Sequence, residues 1–248
     1  MLLAVLGLSI SIGVSLGLLG GGGSILTVPI LTYVAGMSAK TAIASSLFVV
    51  GVTSAAGILA HARAGRVQWR TGMLFGTAGM AGAYAGGHLG AFIPGQLLMI
   101  LFGVMMAVTA VAMLRKRRDV VPRRGDLPIA KVLGNGAGVG LIAGIVGAGG
   151  GFLIVPALVL RGGLSMPLAI GTSLVVISMQ SFAGFIGHLG YVTIDWPLTI
   201  GVTVAAVIGS LIGGSFVGRI APAALRRGFG WLIVAMSVLV LARELFCC

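Results

Sequence analysis

Long apolar stretches alternate with short polar ones along the chain. They fall at about 2–36, 41–60, 72–92, 96–114, 129–160, 167–187, 198–218 and 228–246, and the one long polar interruption is 115–131. Most approach the roughly 20 residues that an α-helix needs to cross a hydrocarbon core of about 30 Å. Helices satisfy their own backbone hydrogen bonds in lipid, so the pattern predicts an all-α integral membrane protein. The opening run is too long for one crossing: as a straight helix it would reach about 52 Å, so it must break or turn. The interruption is visible as Gly20, Gly21, Gly22 and Gly23, and again in the Gly-Ala-Gly-Gly-Gly run at 147–151, with Pro29 and Pro156 six residues beyond Gly23 and Gly150. Residues without side chains and a ring without an N–H both disfavour helix continuation. The N-terminal run has neither a basic leader nor a small-x-small cleavage site and is expected to stay as a first helix.

The same unit occurs twice. A shift of 127 residues lays 13–114 on 140–241 without a gap, with roughly 30 of 102 positions identical. A tenth is expected by chance from such a Gly, Leu, Ala and Val-rich composition, so this is an internal repeat. The informative pairs are Pro29/Pro156, Ser38/Ser165, Ser46/Ser173, His61/His188 and Trp69/Trp196. The chain therefore divides into a first transmembrane repeat (1–114), a basic cytoplasmic linker (115–131) and a second repeat (132–248). Two fused copies of one helical unit are common among secondary transporters, whose sites lie at the repeat interface near the bilayer midplane.

Composition excludes other classes. Of 248 residues 58% are hydrophobic and only 8% charged, too few to cover a water-facing surface, so a soluble enzyme is ruled out. The net charge of +12 lies mostly between apolar runs, which explains it by cytoplasmic loops and makes nucleic acid an unneeded partner. With the linker in the cytoplasm, parallel halves place 11 basic residues inside and 5 outside, whereas inverted halves place 14 inside and 2 outside. The bias favours inverted topology. Cys247 and Cys248, adjacent at the end, cannot staple a fold, and acylation there has little support.

The glycine breaks carry the candidate chemistry. A broken helix leaves N–H groups unpaired at the start of its second half, and these donors hold an anion without a buried cation. Four glycines in a row exceed what packing alone requires. The spaced pairs Gly13/Gly17, Gly82/Gly86, Gly136/Gly140 and Gly209/Gly213 are instead read as close helix contacts. The candidate anion-binding residues are Gly21, Gly22, Gly23 and Ser24 in the first break and Gly149, Gly150, Gly151 and Phe152 in the second. Ser45, Ser46, Thr172 and Ser173 on the following helices assist, within a polar set that also includes Thr53, Ser54, Gln180 and Ser181. Such hydroxyls equally bond their own helix carbonyls. His61 and His188 are candidates for proton coupling, although a His eight residues before a Trp is more simply a hydrated anchor at the membrane edge. Gly138-x-Gly140-x-x-Ala143 mimics a dinucleotide loop inside an apolar run, without the strand or the acid that such a loop needs. No carboxylate pair, nucleophile elbow or metal cluster marks an enzyme, and no cofactor is expected.

The segments GLLGGGGSILTVPIL at 17–31 and GIVGAGGGFLIVPAL at 144–158, each followed by AIASSL (42–47) or AIGTSL (169–174) and then by a small-residue–His step, resemble the TauE/SafE family of sulfite and organosulfonate exporters. The resemblance covers essentially the whole chain. It implies a multi-pass permease of the cytoplasmic membrane for a small sulfur-containing anion (sulfite, organosulfonate or thiosulfate), with the lipid bilayer as its surroundings and a homo-oligomer open. The two copies differ at Ser24/Gly151, Thr41/Leu168 and Thr53/Gln180, so the half-sites are not equivalent. A non-transporting assembly subunit is the alternative, and an intramembrane enzyme a weaker one.

Overall fold

A computed structural model describes residues 2–114, 129–147, 150–160, 164–216 and 221–246. Most of the basic linker, together with Ala148, Gly149, Arg161, Cys247 and Cys248, lies outside these residues. The described chain is helical throughout: α1 (Leu2–Leu19), α2 (Gly22–Pro29), a π-helical turn (Ile30–Val34), α3 (Ala39–Arg63), α4 (Trp69–Gly90), α5 (Gly95–Leu114), α6 (Ile129–Val146), α7 (Gly151–Leu160), α8 (Met166–His188), α9 (Trp196–Phe216) and α10 (Pro222–Phe246). Each apolar run is one helix, except that the opening run of each repeat is two, split at the glycines. Among the described residues five helices are long and apolar enough to cross a membrane: those at Ala39–Arg63, Gly95–Ala112, Met166–His188, Trp196–Phe216 and Ala223–Phe246.

Local chemistry sets several boundaries. Ser38 caps α3 by accepting the Thr41 N–H at 3.3 Å, and Asp195 accepts the Leu198 N–H at 3.2 Å at the start of α9. Pro29 ends α2, because it has no N–H to donate and its ring crowds the preceding turn. The helix responds by widening: the Ala35 N–H reaches Ile30 O at 3.0 Å, a π-type bond spanning five residues.

Helix directions follow from which residues meet. Gly51 of α3 faces Phe182 of α8, and Gly57 faces Leu174, so these repeat-equivalent helices run antiparallel. The equivalent pair α5 and α10 does the same, with Leu114 against Gly230 and Leu241 against Gly103. Helix α1 runs parallel to α9, where Gly13 meets Ala206 and Gly17 meets Ser210. In the same way α6 runs parallel to α4, where Gly140 meets Gly79 and Gly144 meets Ala83. Each of these contacts in one pair is the 127-residue counterpart of a contact in the other. The first helix of each repeat is thus packed against the third helical run of the other. A Cβ at Gly13 or Gly140 would overlap the facing carbonyl oxygen, so the spaced glycines set the backbone separation, as expected of small-residue contacts.

The core follows the same exchange. Helices α3 and α8 lie at the centre, with Ile43, Leu47, Val50, Leu174, Val176 and Ile177 fully buried. The outer helices turn large apolar side chains outward, among them Val108 at 66%, Trp231 at 65% and Val238 at 62% exposure. In water these would be a liability, but against lipid chains they are ordinary.

Candidate functional site

The first break begins where Gly20, with φ +72°, ends α1, its N–H donating to Leu16 O at 2.8 Å. In the second, Gly147 takes φ +74° and donates to Ala143 O at 2.9 Å. Residues with a Cβ reach this left-handed region only at a cost of about 1–2 kcal/mol, which explains why glycine occupies both positions. The chain then reverses: Gly23 packs on Ile12 and Leu16, so α2 folds back along α1. Gly21 at the N-cap of α2 supplies no side-chain acceptor, and the first N–H groups of any α-helix lack intrahelical partners.

The two breaks meet. A Cβ on Gly151, the first residue of α7, would fall 2.7 Å from the Cα of Gly21 and 3.2 Å from Ser24 Oγ. Gly151 and Ser24 are repeat-equivalent, as are Gly51 and Ser178, which meet where the Ser178 hydroxyl donates to Gly51 O at 3.2 Å. Equivalent residues in mutual contact mark a pseudo-twofold axis. That axis passes between the middles of α3 and α8 and between the starts of α2 and α7.

Each break is braced by the other repeat. Ser46 Oγ lies 2.7 Å from both Ile43 O and Gly147 O, sharing its proton between its own helix and the second break. Ser173 donates to Ile170 O at 2.8 Å and sits against Gly20 of the first break. Ser24 donates to Gly21 O at 2.7 Å, Ser45 accepts from Thr199 at 3.3 Å, and Thr172 accepts the Gln68 N–H at 3.0 Å. These candidate hydroxyls are therefore engaged with protein. Gly22 opens α2, Gly150 precedes α7 with φ +68°, and Phe152 lies in its first turn.

A second polar group, further along α3 and α8, is not engaged. The hydroxyls of Thr53, Ser54 and Ser181 and both amide atoms of Gln180 are buried without a hydrogen-bond partner. Four such residues within one turn of the axis are unusual, because a buried polar group without a partner costs about 1–3 kcal/mol. Sequence reasoning placed them among the polar residues of these helices, but not which were free.

His61 and His188 depart from the expected hydrated anchor: they are 0% and 2% exposed. The C-terminal ends of α3 and α8 are each covered by the other repeat, with His61 against Gly214 of α9 and His188 against Gly87 of α4. The carbonyls of Gly17, 3.0 Å from His61 Nε2, and of Gly184, 2.9 Å from His188 Nδ1, only accept, so these nitrogens carry the proton. The remaining ring nitrogens, His61 Nδ1 and His188 Nε2, are unpartnered. Among the described residues no three His, Cys, Asp or Glu side chains converge to hold a metal.

The sequence model of the sulfite exporter TauE/SafE family matches residues 5–240. The chain belongs to the TauE/SafE family. It is 33% identical over 240 residues to a "Probable membrane transporter protein" of Xylella fastidiosa (strain Temecula1), covering 94% of this chain and 92% of that one. Similarity extends to the "Probable membrane transporter protein YdhB" of Bacillus subtilis, 28% identical over 83% of this chain and 86% of the relative. MJ0441 of Methanocaldococcus jannaschii, also called a probable membrane transporter protein, is 28% identical over 96% of each chain. No solved structure matches. This TauE/SafE member is a multi-pass membrane transporter.

Proposed function

We propose that the protein carries a small sulfur-containing anion of the sulfite, organosulfonate or thiosulfate class across the cytoplasmic membrane by alternating access. The observation that carries this reading is the meeting of the two breaks, Gly151 against Gly21 and Ser24, beside uncommitted polar groups at the centre of α3 and α8. The starts of α2 and α7 direct unpaired N–H groups and positive dipole ends to one region, where low dielectric strengthens their hold on an anion. Backbone groups of Gly21, Gly22, Gly23 and Ser24, and of Gly149, Gly150, Gly151 and Phe152, are the primary donors. Ser46 and Ser173 hold the breaks in place, while Ser45 and Thr172 line the neighbouring turns of α3 and α8 and tie them to Thr199 and Gln68.

The antiparallel courses of α3 against α8 and α5 against α10 support inverted halves, 1–114 and 132–248, with each break forming a hairpin. In that arrangement the linker 115–131 faces the cytoplasm and the chain end at Cys248 faces out. Reporter fusions test this directly, and a cytoplasmic reporter at Cys248 contradicts it. Rocking of one repeat against the other would expose the midplane site to each side in turn. His61 and His188, each with one bare nitrogen beside the repeat interface, are the groups placed to take up a proton during this motion.

Flux into proteoliposomes tests the reading. Saturable uptake or release of sulfite, methanesulfonate or thiosulfate is expected, with competition among those that bind. Flux no greater than in empty liposomes for all three would instead favour a non-transporting subunit whose glycines serve packing.

A further inference from the structure

We infer that Gln180 is the residue that reads the transported anion, which makes the second half-site the selective one and a singly charged oxyanion its ligand class. The inference rests on the transport reading above and deepens it. Position 180 is the repeat counterpart of Thr53. Where the first repeat carries one short hydroxyl, the second carries a primary amide with two donors and an acceptor. Gln180 is 0% exposed, and neither its nitrogen nor its oxygen has a partner. An amide stripped of water and given nothing in return is among the costliest neutral groups to bury, and a ligand that fills its hydrogen bonds removes that penalty.

Two glycines make the room it occupies. A Cβ at Gly79 of α4 would overlap the amide nitrogen, and a Cβ at Gly150 would lie 3.0 Å from Gln180 Oε1. Gly150 immediately precedes α7, so the amide ends at the foot of that helix, where the unpaired N–H groups begin. The helix start alone would be an ordinary terminus; an unsatisfied amide aimed into it is what points to a ligand. A half-turn about the last side-chain bond exchanges Oε1 and Nε2, so the NH2 group can face the break when an anion arrives.

The first half-site has no counterpart: Thr53 is shorter, and the Ser24 hydroxyl is spent on Gly21 O. Every buried polar side chain among the described residues is Ser, Thr, Gln or His, with no Lys or Arg among them. Neutral dipoles balance one charge in a low dielectric far better than two. A sulfonate or hydrogen sulfite head therefore suits the site, and a dianion does not.

The test is thermal unfolding of the purified full chain with and without methanesulfonate or sulfate, for wild type, Q180M and T53V. Methanesulfonate is expected to stabilise wild type saturably, with sulfate at least tenfold weaker. Q180M, with an apolar side chain of similar size, is expected to melt at or above wild type without anion and to bind methanesulfonate at least tenfold more weakly; T53V should stay within threefold of wild type. Should Q180M not fold, Q180N, which keeps the amide but shortens its reach, is expected to show the same loss. Unchanged binding by Q180M, or by Q180N in its place, an anion-free melting point of Q180M well below wild type, or an equal loss in T53V overturns the inference while leaving the transport reading intact. Equal stabilisation by sulfate overturns the choice of a singly charged ligand. If wild type is neither stabilised by nor transports methanesulfonate or sulfite, the transport reading fails and this inference with it.

Discussion

The two breaks share a backbone and differ in what surrounds it. Both end their first helix on a left-handed glycine, Gly20 or Gly147, and both lean on the second helix of the other repeat. The first break then closes on itself, because Ser24 returns its hydroxyl to Gly21 O at 2.7 Å. The second has Gly151 at that position, adds another left-handed residue at Gly150 and has Gln180 aimed at its foot. The histidines diverge likewise, His61 bonding to Gly17 of α1 and His188 to Gly184 of its own helix. Duplication kept the elements that set helix geometry, while the side chains that could touch cargo separated. Symmetric architecture with asymmetric chemistry is what a carrier needs if one half grips its ligand and the other mainly moves.

The largest effects should fall where the halves are alike. Gly13→Ala and Gly140→Ala each force a methyl into a facing carbonyl, at Ala206 and Gly79, and each should destabilise by about 1–3 kcal/mol or more in detergent unfolding. A large loss at one and none at the other would break the proposed equivalence. Next come the hinge glycines. Gly20→Ala and Gly147→Ala both incur about 1–2 kcal/mol for the left-handed backbone. They differ in coupling: Gly147 faces the Ile43 side chain, so Ile43→Ala should cost less in the Gly147→Ala background than alone, whereas Gly20 meets Ser173 Oγ at 2.7 Å and the Ile170 backbone at 3.0 Å from a built Cβ, so Ile170→Ala should show no such relief. Smaller still, Ser46→Ala should cost about 1 kcal/mol by removing the bridge to Gly147 O, and Ser173→Ala, which loses only a bond within its own helix, about half that or less. The smallest expected change is Tyr33→Phe, which removes a 2.7 Å bond to Glu244 at the edge of the protein and should cost about 0–1 kcal/mol in the same unfolding assay.

Much of the fold was legible because lipid imposes strict rules. Apolar length gave the helices, and the glycine runs marked the points where α1 and α6 end. The widening after Pro29 was not legible, since a proline signals a disturbance without saying how the turn absorbs it. Nor was the exchange of partners between repeats: the spaced glycines announce close contact but not with which helix. That exchange is also why the hydrated-anchor expectation for His61 and His188 fails, since each is covered by a helix distant in sequence. In the candidate site, the backbone breaks and the Thr53/Gln180 difference could be read from the repeat. Which hydroxyls were already spent could not, because a serine looks the same in sequence whether it braces a loop, as Ser46 does, or stands unpaired, as Ser181 does.

The most direct test is a structure of the protein with selenite, whose selenium reports its position by anomalous scattering while its shape and charge follow sulfite. A peak at the start of α7, within hydrogen-bonding reach of the Gln180 amide beside Gly150, is the predicted result. Peaks confined to the surface at saturating selenite, with none near Gln180 or the start of α7, would contradict it.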